Sequence, residues 1–235
     1  MAEAPQTSRG VLVAGGTGAL GGAVLRELLD AGHSVTATWL LDWELERVQG
    51  ELGDRPGLTY VKADLMEAEG AEAAVMATGD LGAVVNLVGG YAAGPLVDET
   101  DPDEFERMLR LNLRPGFLLA RAAMPRLVAA GGGAYVGVSA RPALRPFAGA
   151  AAYVTAKAAV LAFVQALDAD YRNEGIRANA IVPSVIDTPA NRAAQPDADH
   201  SRWVQPEQIA RVIRFLVSDD AAVTSGGAIP VYGRA

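Results

Sequence analysis

Tyr153 and Lys157 stand four residues apart in the stretch Ala151-Ala152-Tyr153-Val154-Thr155-Ala156-Lys157-Ala158. The run is rich in alanine, the strongest helix former. Asn173 and Gly175 supply stop signals, so the pattern predicts a helix from Ala151 to about Tyr171. Side chains four apart share a helix face, which projects the phenol and the ammonium together. A free tyrosine, with a pKa near ~10, is a poor acid-base catalyst at neutral pH. A cation beside it stabilises the phenolate and draws that pKa toward the working range, as proton exchange with a carbonyl or hydroxyl group requires. Exposed helices commonly carry both residue types, so the pair gains meaning from what surrounds it.

The elements that must position the pair begin near the N-terminus, after a flexible start over residues 1–9. Residues 10–14 form an apolar strand, and Gly15-Gly16-Thr17-Gly18-Ala19-Leu20-Gly21-Gly22 a glycine-rich turn. A helix follows over 23–31. Strand, glycine turn and helix in that order open a dinucleotide-binding unit. The glycines let the backbone approach a pyrophosphate, and the helix start offers free N–H groups and a partial positive charge. The expected phosphate contacts are Gly15, Thr17, Gly18, Ala19, Leu20 and Gly21. Further strands read at 34–39, 58–65 and 83–90, with helices at 43–50 and 68–78. Alternating strands and helices, with nearly continuous apolar strands, predict an α/β fold. It is a Rossmann-type doubly wound parallel sheet of about seven strands, with helices on both faces, in a single domain over 1–235. Ligands of such sheets lie beyond the C-terminal strand ends, where Gly15, Thr38, Asp64 and Gly89 gather.

Composition narrows the chemistry. The chain has no cysteine, which removes disulfides, thiolate catalysis and Cys-ligated zinc, and its two histidines, His33 and His200, form no metal-ligand spacing. No metal site is expected. A net charge of −8 argues against a nucleic-acid partner. There is no apolar run long enough to span a membrane and no signal-like start, so a cytoplasmic protein with a small-molecule substrate is expected.

With these residues in place, the whole chain resembles the short-chain dehydrogenase/reductase family. Asp64-Leu65 looks like the family's adenine-contacting pair, and Asn86-Leu87-Val88-Gly89 like its fourth-strand motif with the middle altered. The glycine turn departs from the commonest pattern, because position 19 is Ala. Gly15, Gly18 and Gly21 follow the Gly-x-x-Gly-x-x-Gly spacing of other branches. The glycine turn, Asn86 to Gly94 and Asp187 to Arg192 are also similar to the dihydropteridine reductases within that family. The resemblance implies an NAD or NADP cofactor, with Asp64, Leu65, Asn86, Val88 and Gly89 among its contacts. An acid at the end of the second strand marks NAD and a base marks NADP. This chain has Trp39 there, with Asp42 too late and Arg47 on the next helix. An absent acid removes repulsion of a 2′-phosphate, which leans to NADP.

The second half supplies the rest of the constellation. Residues 101–130 read as a long helix in which Asn112 and Pro115 should bend the axis or free a carbonyl. The resemblance makes Asn112 the holder of a water that extends a proton relay from Lys157. A fifth strand over 134–138 ends in Ser139, which by resemblance hydrogen-bonds the substrate oxygen. It stands fourteen residues before Tyr153, and the usual thirteenth position is Ala140. A sixth strand, 178–182, leads to Pro183-Ser184-Val185-Ile186-Asp187-Thr188. There the resemblance makes Pro183, the Ile186 backbone and Thr188 contacts of the nicotinamide carboxamide. The polar stretch 190–203 reads as a mobile substrate lid, 206–216 as a helix and 228–232 as a last strand.

The expected function is hydride transfer between NAD(P)(H) and a carbonyl, alcohol or C=N substrate. Tyr153 is the acid/base, Lys157 its cation and a ribose contact, Ser139 the substrate bond and Asn112 the relay support. Two other readings compete. A non-catalytic dinucleotide sensor needs no Tyr-Lys pair, and a nucleotide-sugar epimerase needs a larger C-terminal substrate domain. The substrate walls would come from 91–96, 141–147 and the 190s, where Arg141, Arg145 and Arg192 would favour an anionic group. The family is usually dimeric or tetrameric through its two long helices, and the alanine-rich faces of 117–130 and 158–169 fit that packing.

Overall fold

The structure is a computed structural model that describes residues 9–234. The flexible start expected over 1–9 therefore lies outside the described residues, except for Arg9. The Arg9 guanidinium donates to the Gly132 carbonyl at 2.9 Å.

Strands and helices alternate along the chain: β1 (Gly10–Ala14), α1 (Gly21–Asp30), β2 (Val35–Trp39), α2 (Asp42–Leu52), β3 (Leu58–Lys62), α3 (Ala68–Ala77) and β4 (Leu81–Asn86). There follow α4 (Pro102–Ala129), β5 (Gly133–Val138), α5 (Ala151–Tyr171), β6 (Ile176–Pro183), α6 (Pro189–Ala194), α7 (Pro206–Val217) and β7 (Ala228–Val231). The seven strands pair in parallel in the order β3-β2-β1-β4-β5-β6-β7. The order reverses between β1 and β4, so the crevice beyond their C-terminal ends is the binding position of a doubly wound sheet.

Each strand feeds two cores because successive side chains point to opposite faces. Val11, Val13, Val85 and Val136 pack toward α1 and α7 with Leu25, Leu28, Ile209 and Ile213. Leu12, Ala14, Val84 and Tyr135 pack toward α3, α4 and α5 with Leu119, Met124, Leu127 and Val164. That two-sided burial explains why the strands read as apolar runs rather than alternating ones. Strands three and four are shorter than their sequences imply. Asp64 Oδ1 accepts the Met66 N–H at 2.9 Å, and Asn86 Oδ1 accepts the Val88 N–H at 3.1 Å. These side-chain turns end the ladders early and leave Asp64 and Gly89 in loops at the sheet edge.

Helix α4 runs unbroken through Pro115, so the proline acts by leaving the Leu111 carbonyl without its helical donor. Ala151–Glu174 is long and apolar enough, by length and composition, to cross a bilayer. Lys157 and Asp168 are nevertheless buried against protein along it, as in a core helix.

The glycine turn is close-packed. A Cβ on Gly21 would lie 2.0 Å from the Gly16 carbonyl oxygen, with no flexible atom to yield. Gly21→Ala is expected to lower unfolding free energy by about 1–3 kcal/mol or more, the usual cost of overpacking. A denaturant midpoint at unchanged slope checks it. Gly53→Ala, where space is open but φ is +64°, separates backbone strain from the overlap.

Candidate active site

The nucleotide end of the crevice is assembled from four strand ends. Gly15 has φ +73°, and its N–H donates to Thr38 Oγ1 at the end of β2 at 2.9 Å. Its absent Cβ leaves Val88 as the next neighbour, 3.2 Å from where that atom would stand. Gly16 sits equally tight on Ala37. Helix α2 braces the turn from outside: Thr17 is buried and donates to Glu44 Oε2 at 3.2 Å, and Arg47 donates to the Thr17 carbonyl at 2.6 Å. Thr17 therefore faces α2, while Ala19 is exposed at the turn's surface and Leu20 starts α1. No Cβ fits at Gly15, Gly16 or Gly21 without displacing backbone or a packed side chain. The α1 N-terminus is uncapped by any side chain. Such a cradle fits a pyrophosphate.

Beyond β2, the Lys62 ammonium lies 4.6 Å from the Trp39 ring centroid and 3.6 Å from Asp42. Asp64 is exposed and Leu65 buried beside it, while Asn86 is almost fully buried.

The Tyr-Lys pair lies at the other end of the same edge, on the first turns of α5. Lys157 is 7% exposed. Its Nζ donates to the Val138 carbonyl at 3.1 Å and sits 6.0 Å from the Tyr153 ring centroid. A Cβ on Gly89 would lie 3.0 Å from that Nζ and 2.6 Å from Asn112 Oδ1, so the glycine lets the β4 loop reach both residues. Asn112 donates to the Met108 carbonyl at 2.9 Å and accepts the Gly90 N–H at 3.1 Å. Its amide thus ties α4 to the loop carrying Gly89.

Electrostatics depart from the expected direction. Burial, and secondarily the neighbouring Tyr91, push the Tyr153 phenol up to about 12. Burial pushes Lys157 down to about 8. The helical spacing is as read, but desolvation at the crevice floor outweighs the ammonium's pull on the phenol. Tyr153 is held in its protonated form.

Ser139 is also placed differently from its expected role. It is 1% exposed, and its hydroxyl donates to the Lys157 carbonyl at 2.7 Å, inside the packing of β5 on α5. Ala140, the position at thirteen, is buried as well and carries no hydroxyl.

At the far side, Pro183 closes β6, and Ser184 needs no glycine geometry, since no non-glycine described residue has positive φ. Thr188 caps α6 by accepting the Asn191 N–H at 3.2 Å. The Ile186 carbonyl accepts Asn191 Nδ2 at 2.8 Å. The stretch 190–203, read as irregular, contains most of α6 and a 3-10 turn at His200–Arg202. Arg192 and Gln205 both bind Asp187 and hold its carboxyl well below the usual carboxylate range. Arg192 is thereby neutralised, whereas Arg141 stacks 5.0 Å from the Tyr232 ring centroid.

Three contacts had no signal in the sequence: the Val138 carbonyl on Lys157, the α2 brace on the turn, and Tyr91 on Tyr153. The Tyr91 and Tyr153 ring centroids are 4.9 Å apart, edge to face. All three join residues far apart in the chain. A cleft of about 510 Å³ lined by Arg9, His33, Gly132 and Arg177 lies at the opposite, N-terminal strand edge and shares no residue with this site.

Comparison with known proteins agrees with this fold. The family model described as short chain dehydrogenase matches residues 9–199. The chain is 30% identical to 2-(R)-hydroxypropyl-CoM dehydrogenase of Xanthobacter autotrophicus, over 96% of this chain and 98% of that protein. It is 29% identical to 4-formylbenzenesulfonate dehydrogenase TsaC1/TsaC2 of Comamonas testosteroni, over 94% and 95%. A short-chain type dehydrogenase/reductase from Mycobacterium ulcerans superposes with TM-score 0.89 at 27% identity, covering 96% of this chain and 89% of that one. A seven-stranded parallel sheet, a glycine cradle at the β1 end and a Tyr-Lys pair at the β5 end, matched by the family over most of the chain, place it: the chain belongs to the short-chain dehydrogenase family.

Proposed function

We propose that this oxidoreductase transfers hydride between a nicotinamide dinucleotide and a small carbonyl or alcohol substrate, with Tyr153 as proton donor and acceptor. The observation that carries the reading is the buried Lys157 ammonium beside Tyr153 and Gly89, with the Val138 carbonyl as its hydrogen-bond partner. Desolvating a lysine is costly, and its place beside a buried phenol suits proton transfer, for which a sensor that only bound a dinucleotide has no use.

The bound dinucleotide supplies or accepts the hydride; the chain orients it and handles the proton. Gly15, Gly18, Ala19, Leu20 and Gly21, with Thr17 through its backbone only, receive the pyrophosphate, and Trp39, Asp64, Leu65, Asn86, Val88 and Gly89 the adenosine side. Pro183, Ile186, Thr188 and Lys157 hold the nicotinamide half. Because burial keeps Tyr153 protonated, its resting state suits giving a proton to a carbonyl oxygen. Lys157 stabilises the phenolate left behind, and Asn112 stands where the proton relay extends.

We read the cofactor as NADP. No acid ends β2, and Lys62 and Arg47 are the cations nearest Trp39 and the turn. Titration with NADPH and NADH by fluorescence tests this. Tighter NADPH binding is expected, and Lys62→Ala is expected to weaken NADPH about five- to tenfold while leaving NADH unchanged, as for loss of one exposed phosphate contact. Equal loss for both dinucleotides would remove Lys62 from phosphate recognition.

The protein acts as a cytoplasmic homodimer or homotetramer through α4 and α5. Phe117, half-exposed on α4, meets Phe163 of α5 edge to face at 6.3 Å, a surface that a second copy would cover. Residues 190–203 serve as the lid over the substrate.

A further inference from the structure

We propose that the Tyr91 hydroxyl donates the second hydrogen bond to the substrate oxygen, beside Tyr153; this rests on the reading of Tyr153 as proton donor. The place from which that bond was expected is empty of donors. Ser139 is almost fully buried and gives its hydroxyl to the Lys157 carbonyl at 2.7 Å. Its N–H goes to the Ile181 carbonyl at 2.9 Å, which fixes the backbone as well. Turning the side chain outward would break that bond, at a cost of about 0.5–1.5 kcal/mol, while the Lys157 carbonyl kept its helical partner, the Leu161 N–H. Ala140, next in line, brings only a methyl group. The end of β5 therefore offers no hydroxyl to a ligand at Tyr153.

The opposite wall does. The edge-to-face contact at 4.9 Å and 75° puts the Tyr91 ring directly on Tyr153. Tyr91 is 64% exposed, and its hydroxyl has no hydrogen-bond partner among the described residues. Two bonds hold its loop: Gly90 N–H to Asn112 Oδ1 at 3.1 Å, and Gly94 N–H to the Gly149 carbonyl at 2.8 Å. The second joins the loop to the segment just before α5. Tyr91 is thus a phenol with an unused donor, on a loop tied at both ends, whose ring lies against the ring of Tyr153.

The chemistry balances with Tyr91 as donor only. In reduction the carbonyl carbon gains hydride from the reduced nicotinamide, and the oxygen gains the Tyr153 proton. Tyr91 keeps its own proton while its O–H stabilises charge growing on the oxygen. Such a donor is worth most where charge develops in the transition state.

The test is reduction of 4-formylbenzenesulfonate by NADPH in the wild type, Tyr91→Phe, Tyr91→Leu and the double variant Tyr91→Phe/Ala140→Ser. Tyr91→Phe keeps the ring contact and removes only the hydroxyl. It should lower kcat about a hundred- to a thousandfold with KM for NADPH unchanged, the range for loss of one such donor. Ala140→Ser, which restores a hydroxyl from the β5 side, should recover part of that loss. A Tyr91→Phe enzyme with wild-type kcat, beside a Tyr91→Leu enzyme that is slow, would reduce Tyr91 to packing and overturn the proposal. The carbonyl stretch of the same aldehyde in the dead-end complex with NADP⁺ gives a readout without turnover. It should rise in frequency in Tyr91→Phe, and an unchanged stretch overturns the proposal. Full activity in Tyr153→Phe would instead sink the underlying reading of Tyr153, so the two failures are told apart.

Discussion

Tyr153→Phe is expected to lower kcat by about 10²–10⁴-fold, the range for loss of a positioned acid-base group. The dinucleotide Kd should be unchanged. The phenol is mostly buried and pushed up to about 12, so at neutral pH the lost group is a proton donor in its working form. Phenylalanine retains the edge-to-face contact with Tyr91 and should leave the fold intact. Steady-state turnover, with NADPH titration by fluorescence alongside it, separates the two effects. A variant that binds NADPH normally and turns over at the wild-type rate would take Tyr153 out of the mechanism. One that fails to bind NADPH would make the tyrosine a cofactor contact first.

Lys157→Met should lose comparable activity, but with a different signature. Methionine fills a similar volume without the charge, so both the stabilisation of a phenolate and the ribose contact disappear. Both kcat and dinucleotide affinity are expected to fall. The pH dependence isolates the charge. Lys157 has a folded pKa lowered to about 8 from an ordinary 10.5. Below pH 8 both states are protonated, and the native state bears the full burial penalty. Between about 8 and 10.5 the unfolded chain holds a proton that the native state has released. Wild-type stability should therefore rise with pH across that window relative to Lys157→Met, by an amount on the order of 3 kcal/mol. In the same window the wild-type reduction rate should fall as the ammonium is lost. Denaturant midpoints of the two proteins from pH 7 to 10.5 decide it. Parallel curves would mean that Lys157 titrates normally and is not desolvated.

The two variants together also test the departure seen at the pair. Helical spacing brings Tyr153 and Lys157 onto one face, and α5 does so. Spacing carries no information about dielectric. At the end of a crevice floored by β5 and covered by the Tyr91 loop, desolvation acts on both groups in the direction of neutrality, raising the acid and lowering the base.

What the sequence alone determined follows from periodicity and local chemistry. The alternation of apolar strands and helices specifies a doubly wound sheet because each strand must be buried on both faces. Gly15, Gly18 and Gly21 mark the cradle by their spacing after an apolar strand, and at Gly15 and Gly21 a Cβ would meet a packed side chain or backbone. The Ala151 helix is legible because alanine favours it and Gly175, at φ +75°, ends the segment after it. Candidate site residues carried by a turn or a helix face, such as Gly15, Tyr153 and Lys157, are accessible to the same reasoning.

Only the tertiary structure decided which way side chains at the strand ends turn and what they meet. Ser139 and Ala140 are adjacent just past β5, and both are buried, at 1% and 5% exposed. The sequence shows a serine near the expected spacing; the packing of β5 on α5 commits its hydroxyl to the Lys157 carbonyl. Tyr91 lies 62 residues from Tyr153 in the numbering and touches it only because β4 and β5 are neighbours in the sheet. Arg192, an exposed cation in the sequence, is neutralised because a turn returns it to Asp187. For Ser139 and Tyr91 the deciding partner is on another element, and its free energy depends on burial that no local pattern encodes.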